Sequence, residues 1–394
     1  MNRLPLFASL CFALVLGACG GGGGAKDPAP TTPPTSANPA GPGQFLGATL
    51  LKTISPAEVS AALAKDGDAA FLATPRYAVQ AWRITYLTVD EAGRQTVASG
   101  LVGVPQKAAN APSPVLSYQH ATIKSQADAP SSLARLGDPP VVLASLGYIV
   151  EAADYVGFGV SAGTPHPYLV SAASASAVID FLTASKYWRG TQHIADNKQL
   201  FLTGYSEGGY VTVAAQRALQ AGTTPHRSEL VRVVAGDGPY DVGATMDQLL
   251  EIMRTDYFPL GYVLNPGFLR YLGDEDRRHA RDILLALLIG IDPSVVYSPT
   301  VVDNFLNDNR AAIDSLSSVY DWAPEVPLDL FHGRDDRTVP YVSATRTLQA
   351  MQARGAGNRV TLTDCVAQPA GHAQCVLPYW RFVLGKFAAD AKDL

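Results

Sequence analysis

Two stretches of the chain set a serine between glycines in the pattern Gly-x-Ser-x-Gly: Gly204-Tyr205-Ser206-Glu207-Gly208 and Gly159-Val160-Ser161-Ala162-Gly163. A serine hydroxyl is a weak nucleophile at neutral pH. It needs a base to take its proton and a carboxylate to hold and stabilise that base. The pattern does not choose between the two serines, but their contexts do. Ser206 follows the apolar run Gln199 to Thr203 and precedes the helical run Tyr210 to Leu219. In that strand-turn-helix setting the serine sits on a sharp, strained turn, and the flanking glycines remove Cβ atoms that would collide there. The helix start also offers backbone N–H groups to a developing oxyanion. Ser161 is followed by Thr164-Pro165-His166-Pro167. Prolines so placed bar a helix directly behind it, so Ser161 is expected to be a loop residue.

The partners of such a serine are sought in the order serine, acid, histidine. The segment His332-Gly333-Arg334-Asp335-Asp336-Arg337-Thr338-Val339-Pro340 follows the apolar run Leu328 to Phe331 and puts two carboxylates in one turn. Asp336 has the better spacing to Val339-Pro340 and is the expected acid, which leaves Asp335 as a solvated turn residue. His372 lies beyond the run Arg359 to Leu362 and inside the loop from Cys365 to Cys375. Of the seven histidines, His166, His193 and His226 fall in polar or proline-rich loops, and His279 in a helical insertion. Only His372 has both the position and the order of a general base.

These residues require a scaffold. Val79 to Val89 and Thr96 to Val104 alternate apolar and polar residues around Asp90-Glu91-Ala92-Gly93, which predicts a β-hairpin. Pro114 to Tyr118, Tyr148 to Ala153, Gln199 to Thr203 and Val231 to Ala235 are short, mostly apolar runs. Helical patterns such as Val170 to Thr183 and Val211 to Leu219 separate them. Strands buried on both faces with helical crossovers imply an α/β architecture, a mostly parallel sheet with helices on both faces. Leu328 to Phe331 and Arg359 to Leu362 add two strands, with a helix near Val342 to Gln352 between them and a last helix over about Val376 to Ala389. From about Val242 to Ala323 the periodicity is helical with no convincing strand, which predicts an inserted helical cap.

The chain has 394 residues, 47% hydrophobic and 16% charged, enough for a large core. A net charge of -5 supplies no basic stripe, so nucleic acid is not an expected partner. After Met1-Asn2-Arg3, the apolar run Leu4 to Leu16 has the length of a signal-peptide core and is too short to span a bilayer. It ends in Leu16-Gly17-Ala18-Cys19, which resembles a bacterial lipobox, and a Gly/Pro-rich stretch over residues 20–44 reads as the tether of a lipid anchor at Cys19. That resemblance implies export and an outer-membrane location, since Gly20 follows Cys19 with no acidic residue. With Cys11 removed and Cys19 acylated, Cys365 and Cys375 remain as an expected disulfide. Closing so short a loop is worth about 2 to 3 kcal/mol in the chain-entropy model. Two free thiols are the alternative; a metal site falls short of the usual four ligands.

Taken together, the motifs resemble an α/β-hydrolase of the secretory lipase and esterase type over about residues 75–390. Ser117-Tyr118-Gln119-His120-Ala121-Thr122 resembles the oxyanion strand and loop of that family. Asp154-Tyr155-Val156-Gly157-Phe158-Gly159, His166-Pro167-Tyr168-Leu169, Gly238-Pro239-Tyr240-Asp241 and the two segments around Ser206 and Asp336 follow in family order. The resemblance implies ester hydrolysis through an acyl-enzyme, with no cofactor and no metal, on a small-molecule or lipid ester. The oxyanion hole would combine the N–H of Glu207 with that of Thr122 or Ala121. Where the family has His-Gly-Thr this chain has His120-Ala121-Thr122, and alanine lacks the conformational range of glycine. Tyr257, Phe258, Tyr262, Phe268 and Tyr271 either line an acyl pocket or form the insertion's own core. Two alternatives stay open: a prolyl oligopeptidase-type serine peptidase, and a lipid-anchored binding protein that keeps the fold without the chemistry.

Overall fold

The computed structural model describes residues 37–65, 73–256, 266–269, 271, 273–288 and 295–394. The signal run, Cys19, the tether up to residue 36, and Tyr257, Phe258 and Tyr262 lie outside the described residues. No described helix is long and apolar enough to cross a membrane.

Among the described residues, nine strands form one sheet: β1 (Phe45–Ile54), β2 (Val79–Val89), β3 (Gln95–Pro105), β4 (Ser113–Gln119), β5 (Ile149–Ala153), β6 (Asp196–Tyr205), β7 (Leu230–Gly236), β8 (Leu328–His332) and β9 (Val360–Asp364). Their order is β1-β2-β3-β5-β4-β6-β7-β8-β9. The pairs β1/β2, β2/β3 and β3/β5 are antiparallel and the rest parallel. This is the α/β-hydrolase architecture. Its parallel half brings the C-terminal ends of β6, β7 and β8 side by side, where ligands of open α/β sheets bind.

The central strands are continuously apolar because both their faces are covered. On β6, Leu200 and Leu202 join one core while Phe201 joins the other, and on β7 Val233 and Ala235 oppose Val234 in the same way. Helix α1 (Pro56–Lys65) packs at the margin through Val59 and Leu63. Helix α2 (Pro139–Ser145) adds Leu143 and Ala144 to the second core. Helices α3 (Ser171–Thr191) and α4 (Glu207–Ala221) cover the first face with Phe181, Leu182, Tyr210 and Val211. Between β7 and β8 run α5 (Val242–Asp256), α6 (Asp274–Leu288) and α7 (Thr300–Leu306), with short turns around them. Beyond β8 come α8 (Val342–Ala353) and α9 (Val376–Asp390), the latter burying Tyr379, Val383 and Phe387 against the second core.

Two differences from expectation have physical causes. Strand β1 and helix α1 occupy a stretch read without elements. β1 is an edge strand, largely exposed, with register shifts at Phe45/Gly47 and Leu50/Lys52, so it lacks the alternation of a half-buried strand. Helix α3 runs two turns past Thr183. Its last turns bury Trp188 and Arg189, whose guanidinium meets Glu151 at 3.1 Å and Asp196 at 2.6 Å. Tertiary ion pairing, invisible to local periodicity, extends the helix.

Half-buried Asp180 on α3 accepts a hydrogen bond from Thr88 Oγ1 at 2.7 Å, and burial pushes its carboxyl up to about 6. A folded-state value above the unfolded one means that folding favours the protonated form, and this contribution is lost as pH rises through about 6. Asp180→Asn keeps an acceptor for Thr88 without the charge. It is expected to raise Tm by about 2–4 °C at pH 8 and by nothing at pH 4, checked by thermal melts at both values.

Candidate active site

Ser206 stands between β6 and α4 with φ 59° and ψ -123°, a left-handed backbone conformation costly for a residue with a Cβ. The elbow is held closed by close backbone approach. A Cβ on Gly204 would strike the Gly208 carbonyl, and one on Gly208 the Gln119 carbonyl. The Ser206 N–H donates to Gly236 O at 2.9 Å, which ties the turn to the end of β7.

The Ser206 hydroxyl lies 2.9 Å from His372 Nε2, and His372 Nδ1 lies 2.6 Å from Asp336 Oδ2. Asp336 is buried, and its other oxygen accepts the Thr338 and Val339 N–H groups at 2.8 and 2.9 Å. Its oxygens are thus divided, one to the backbone and one to the imidazole. The structure therefore brings together Ser206, Asp336 and His372 from three separate strand ends. Asp335 is exposed, yet it is more than a solvated turn residue. Its Oδ2 accepts from Ala370 N at 2.8 Å, and its own N–H donates to Ala370 O at 3.1 Å, so it braces the loop that carries His372.

That loop is also closed by a Cys365–Cys375 disulfide, Cα–Cα 5.9 Å. Tyr205 adds a third brace that sequence did not suggest: its hydroxyl donates to His372 O at 2.6 Å, and its ring lies 5.2 Å from the imidazole. Replacing both cysteines by serine is expected to cost about 2 to 3 kcal/mol of stability and to lower kcat about tenfold through looser placement of His372. Thermal melts and steady-state rates, with and without reductant, check this.

Ser161, the other serine of the pattern, was expected in a loop but ends a single 3-10 turn, Gly159–Ser161, where it is buried and its Oγ accepts from Gly157 N at 2.9 Å and donates to Phe158 O at 2.8 Å. It is committed to holding its own turn. Ala121 and Thr122 border the same cavity as Ser206 and His372. The Glu207 side chain turns away from it, and the Glu207 N–H is in the first turn of α4, where N–H groups have no intrahelical acceptor. His120 is buried against Tyr155, ring centroids 4.0 Å apart, with Nδ1 2.8 Å from Ala121 O and Nε2 3.1 Å from Asp154 O. Burial holds it below the ordinary histidine range. It props the oxyanion loop.

The cavity measures about 410 Å³. One wall is the face of α5 bearing Val242, Thr245, Met246 and Leu249; another is Val301 and Val302 of α7. These two walls are mostly aliphatic, and Tyr168 and Tyr205 also line the cavity. Tyr271 is 76% exposed, and the side chains of Tyr257, Phe258, Tyr262 and Phe268 lie outside the described residues.

Asp237, His332 and Asp336 gather polar atoms within 4.8 Å of one another. The donor set does not suit a metal ion, because His332 Nε2 lies 2.8 Å from Val339 O and so donates to it, while both Asp336 oxygens are taken. Burial pushes the Asp237 carboxyl up, and the Asp336 charge adds to the rise.

Residues 138–255 match the secretory lipase family, a span that includes the Ser206 elbow and ends before Asp336 and His372. No curated protein matches the chain. Among solved structures, a rice cell wall degrading esterase, LipA, from Xanthomonas oryzae is 24% identical, with TM-score 0.69, covering 90% of this chain and all of that one. A putative hydrolase from Legionella pneumophila is 24% identical, with TM-score 0.68, covering 88% of this chain and 97% of that one. Lipase A of Candida antarctica is 16% identical, with TM-score 0.55, covering 93% and 88%. These likenesses establish the α/β-hydrolase fold, and with the family match they support a hydrolase.

Proposed function

We propose that the chain is a serine carboxylic ester hydrolase that works through an acyl-enzyme. The observation that carries the proposal is the continuous hydrogen-bonded line from Ser206 through His372 to Asp336, at 2.9 and 2.6 Å, opening on an apolar cavity. Ser206 Oγ attacks the ester carbonyl while His372 Nε2 takes its proton. Asp336 holds the imidazole and stabilises the imidazolium. The tetrahedral oxyanion is received by the Glu207 N–H and a second donor from Thr122 or Ala121. His372 then gives its proton to the departing alcohol, and water repeats the sequence to free the acid.

Secretion agrees with the secretory lipase match and with the N-terminal signal run. Lipid anchoring through Cys19, with outer-membrane placement, rests on the lipobox-like sequence alone. The two alternatives are less well supported. Residues 45–65 hold one strand and one helix, and no propeller of the kind prolyl oligopeptidases carry stands before the sheet among the described residues. A binding protein without chemistry would have no need of a strained serine aligned on a braced histidine.

A p-nitrophenyl ester series from acetate to palmitate tests the proposal on the form lacking residues 1–19. Cleavage supports ester hydrolysis; absence of cleavage of every ester, with turnover of a prolyl amide, overturns it. The aliphatic wall makes a further expectation. Met246→Trp fills part of the cavity and is expected to lower kcat/KM for the long esters about 10- to 100-fold, at about 1–3 kcal/mol of apolar fit, leaving acetate little changed. An unchanged chain-length profile would remove this wall from acyl binding.

A further inference from the structure

His166 and Glu207 form a pair that the mechanism above does not use. Their side chains are 2% and 3% exposed, with His166 Nε2 2.7 Å from Glu207 Oε1. His166 Nδ1 lies 2.8 Å from Val156 O, an oxygen that only accepts, so Nδ1 carries a hydrogen. One proton is then shared between Nε2 and Oε1. Whether written as imidazolium with carboxylate or imidazole with carboxylic acid, the pair is neutral overall and joined by one strong bond. Glu207 directly follows Ser206, and its N–H is the proposed first oxyanion donor.

The other end of the pair reaches the segment between β7 and β8. The His166 N–H donates to Val296 O at 2.7 Å, and the Ser298 N–H donates to His166 O at 2.8 Å. Between them Tyr297 packs edge-on to the His166 ring, centroids 5.5 Å apart, and its hydroxyl donates to Ile123 O at 2.6 Å, one residue beyond Thr122. Three consecutive residues, Val296 to Ser298, therefore touch both sides of the oxyanion hole: the elbow through His166 and Glu207, and the oxyanion loop through Ile123. The next turn carries Val301 and Val302 of the cavity wall.

We propose that His166, Glu207 and Tyr297 are positioning residues that brace the two oxyanion donors against each other through the segment 296–298, so that this segment completes the oxyanion hole as well as walling the cavity. The proposal rests on the serine-esterase mechanism above. Because the oxyanion forms only along the reaction path, loss of the brace lowers kcat and leaves KM nearly unchanged, whereas loss of a mere substrate contact raises KM.

The test uses Glu207→Ala, Glu207→Gln and Tyr297→Phe in the full chain, with p-nitrophenyl butyrate as substrate, Tm as the folding control and Ser206→Ala alongside. Glu207→Ala is expected to lower kcat about 100-fold, the scale of losing an oxyanion donor. Glu207→Gln, whose amide donates to a neutral Nε2, is expected to recover to within about tenfold of the native rate. Tyr297→Phe is expected to lower kcat about tenfold, and the double variant Tyr297→Phe/Glu207→Ala to be little worse than Glu207→Ala, because both act through one brace. A native kcat in Glu207→Ala or Tyr297→Phe, or a change confined to KM, overturns the proposal. If Glu207→Ala fails to fold, Tyr297→Phe at native Tm decides the matter by the same criterion. If Ser206→Ala still cleaves the ester, the mechanism itself falls; if it is dead while the brace variants are native, only the brace falls.

Discussion

Ser206→Ala is expected to lower kcat for ester cleavage about 10⁵- to 10⁶-fold, the scale seen when a catalytic serine acting with its base is removed, and to abolish labelling by a fluorophosphonate. Fold and Tm should stay native. The alanine removes only an oxygen, and the φ of 59° at that position is already imposed by the elbow. Ser161→Ala is the matched control. Both serines sit in Gly-x-Ser-x-Gly, but Ser161 Oγ is buried and bonded within its own turn, whereas Ser206 Oγ lies 2.9 Å from His372 Nε2. Ser161→Ala should therefore label and turn over at native rates, with a loss of about 1–3 kcal/mol of stability because the buried Gly157 N–H is left without its acceptor. Equal cleavage by native and Ser206→Ala protein would mean another nucleophile; loss of labelling in Ser161→Ala alone would move the nucleophile to that loop.

The sheet from β2 onward was legible because each strand carries its own signal: alternation where one face meets water, continuous apolarity where both faces are covered. Strand β1 carries neither, being an exposed edge with two register shifts. The placement of Ser206, Asp336 and His372 was legible for a related reason. Each is announced by a local motif at the end of a strand, and the topology carries adjacent strand ends to one place. The supports of that site were not legible. His166 appeared as one more histidine in a proline-rich loop and Glu207 only as the bearer of a backbone N–H, yet their side chains meet across 41 positions at 2.7 Å in a buried site. Tyr205 and Asp335, which hold the His372 loop, and the α5 face, which walls the cavity, likewise depend on contacts between distant segments. No local periodicity encodes such contacts.

Asp336→Asn is the second large effect expected, about 10⁴-fold in kcat, and its size follows from which oxygen does what. Asp336 Oδ1 is fixed by the N–H groups of Thr338 and Val339, while Oδ2 faces His372 Nδ1. An asparagine in this place keeps its carbonyl oxygen on the two backbone donors, so its NH₂ must face Nδ1. A donor there requires Nδ1 to be the unprotonated nitrogen, and the neutral imidazole then carries its proton on Nε2, toward Ser206. Nε2 can no longer take the serine proton, although every heavy atom stays in place. Asp335→Asn is the discriminating partner. Its carboxylate only accepts from Ala370 N, and an amide oxygen does the same, so the expected loss is less than about threefold. If the deep loss appears in Asp335→Asn, the acid has been assigned one residue too late. If Asp336→Asn remains active, the orientation of His372 is held by Tyr205, the disulfide and the Asp335 brace alone, and a carboxylate on Nδ1 is not required.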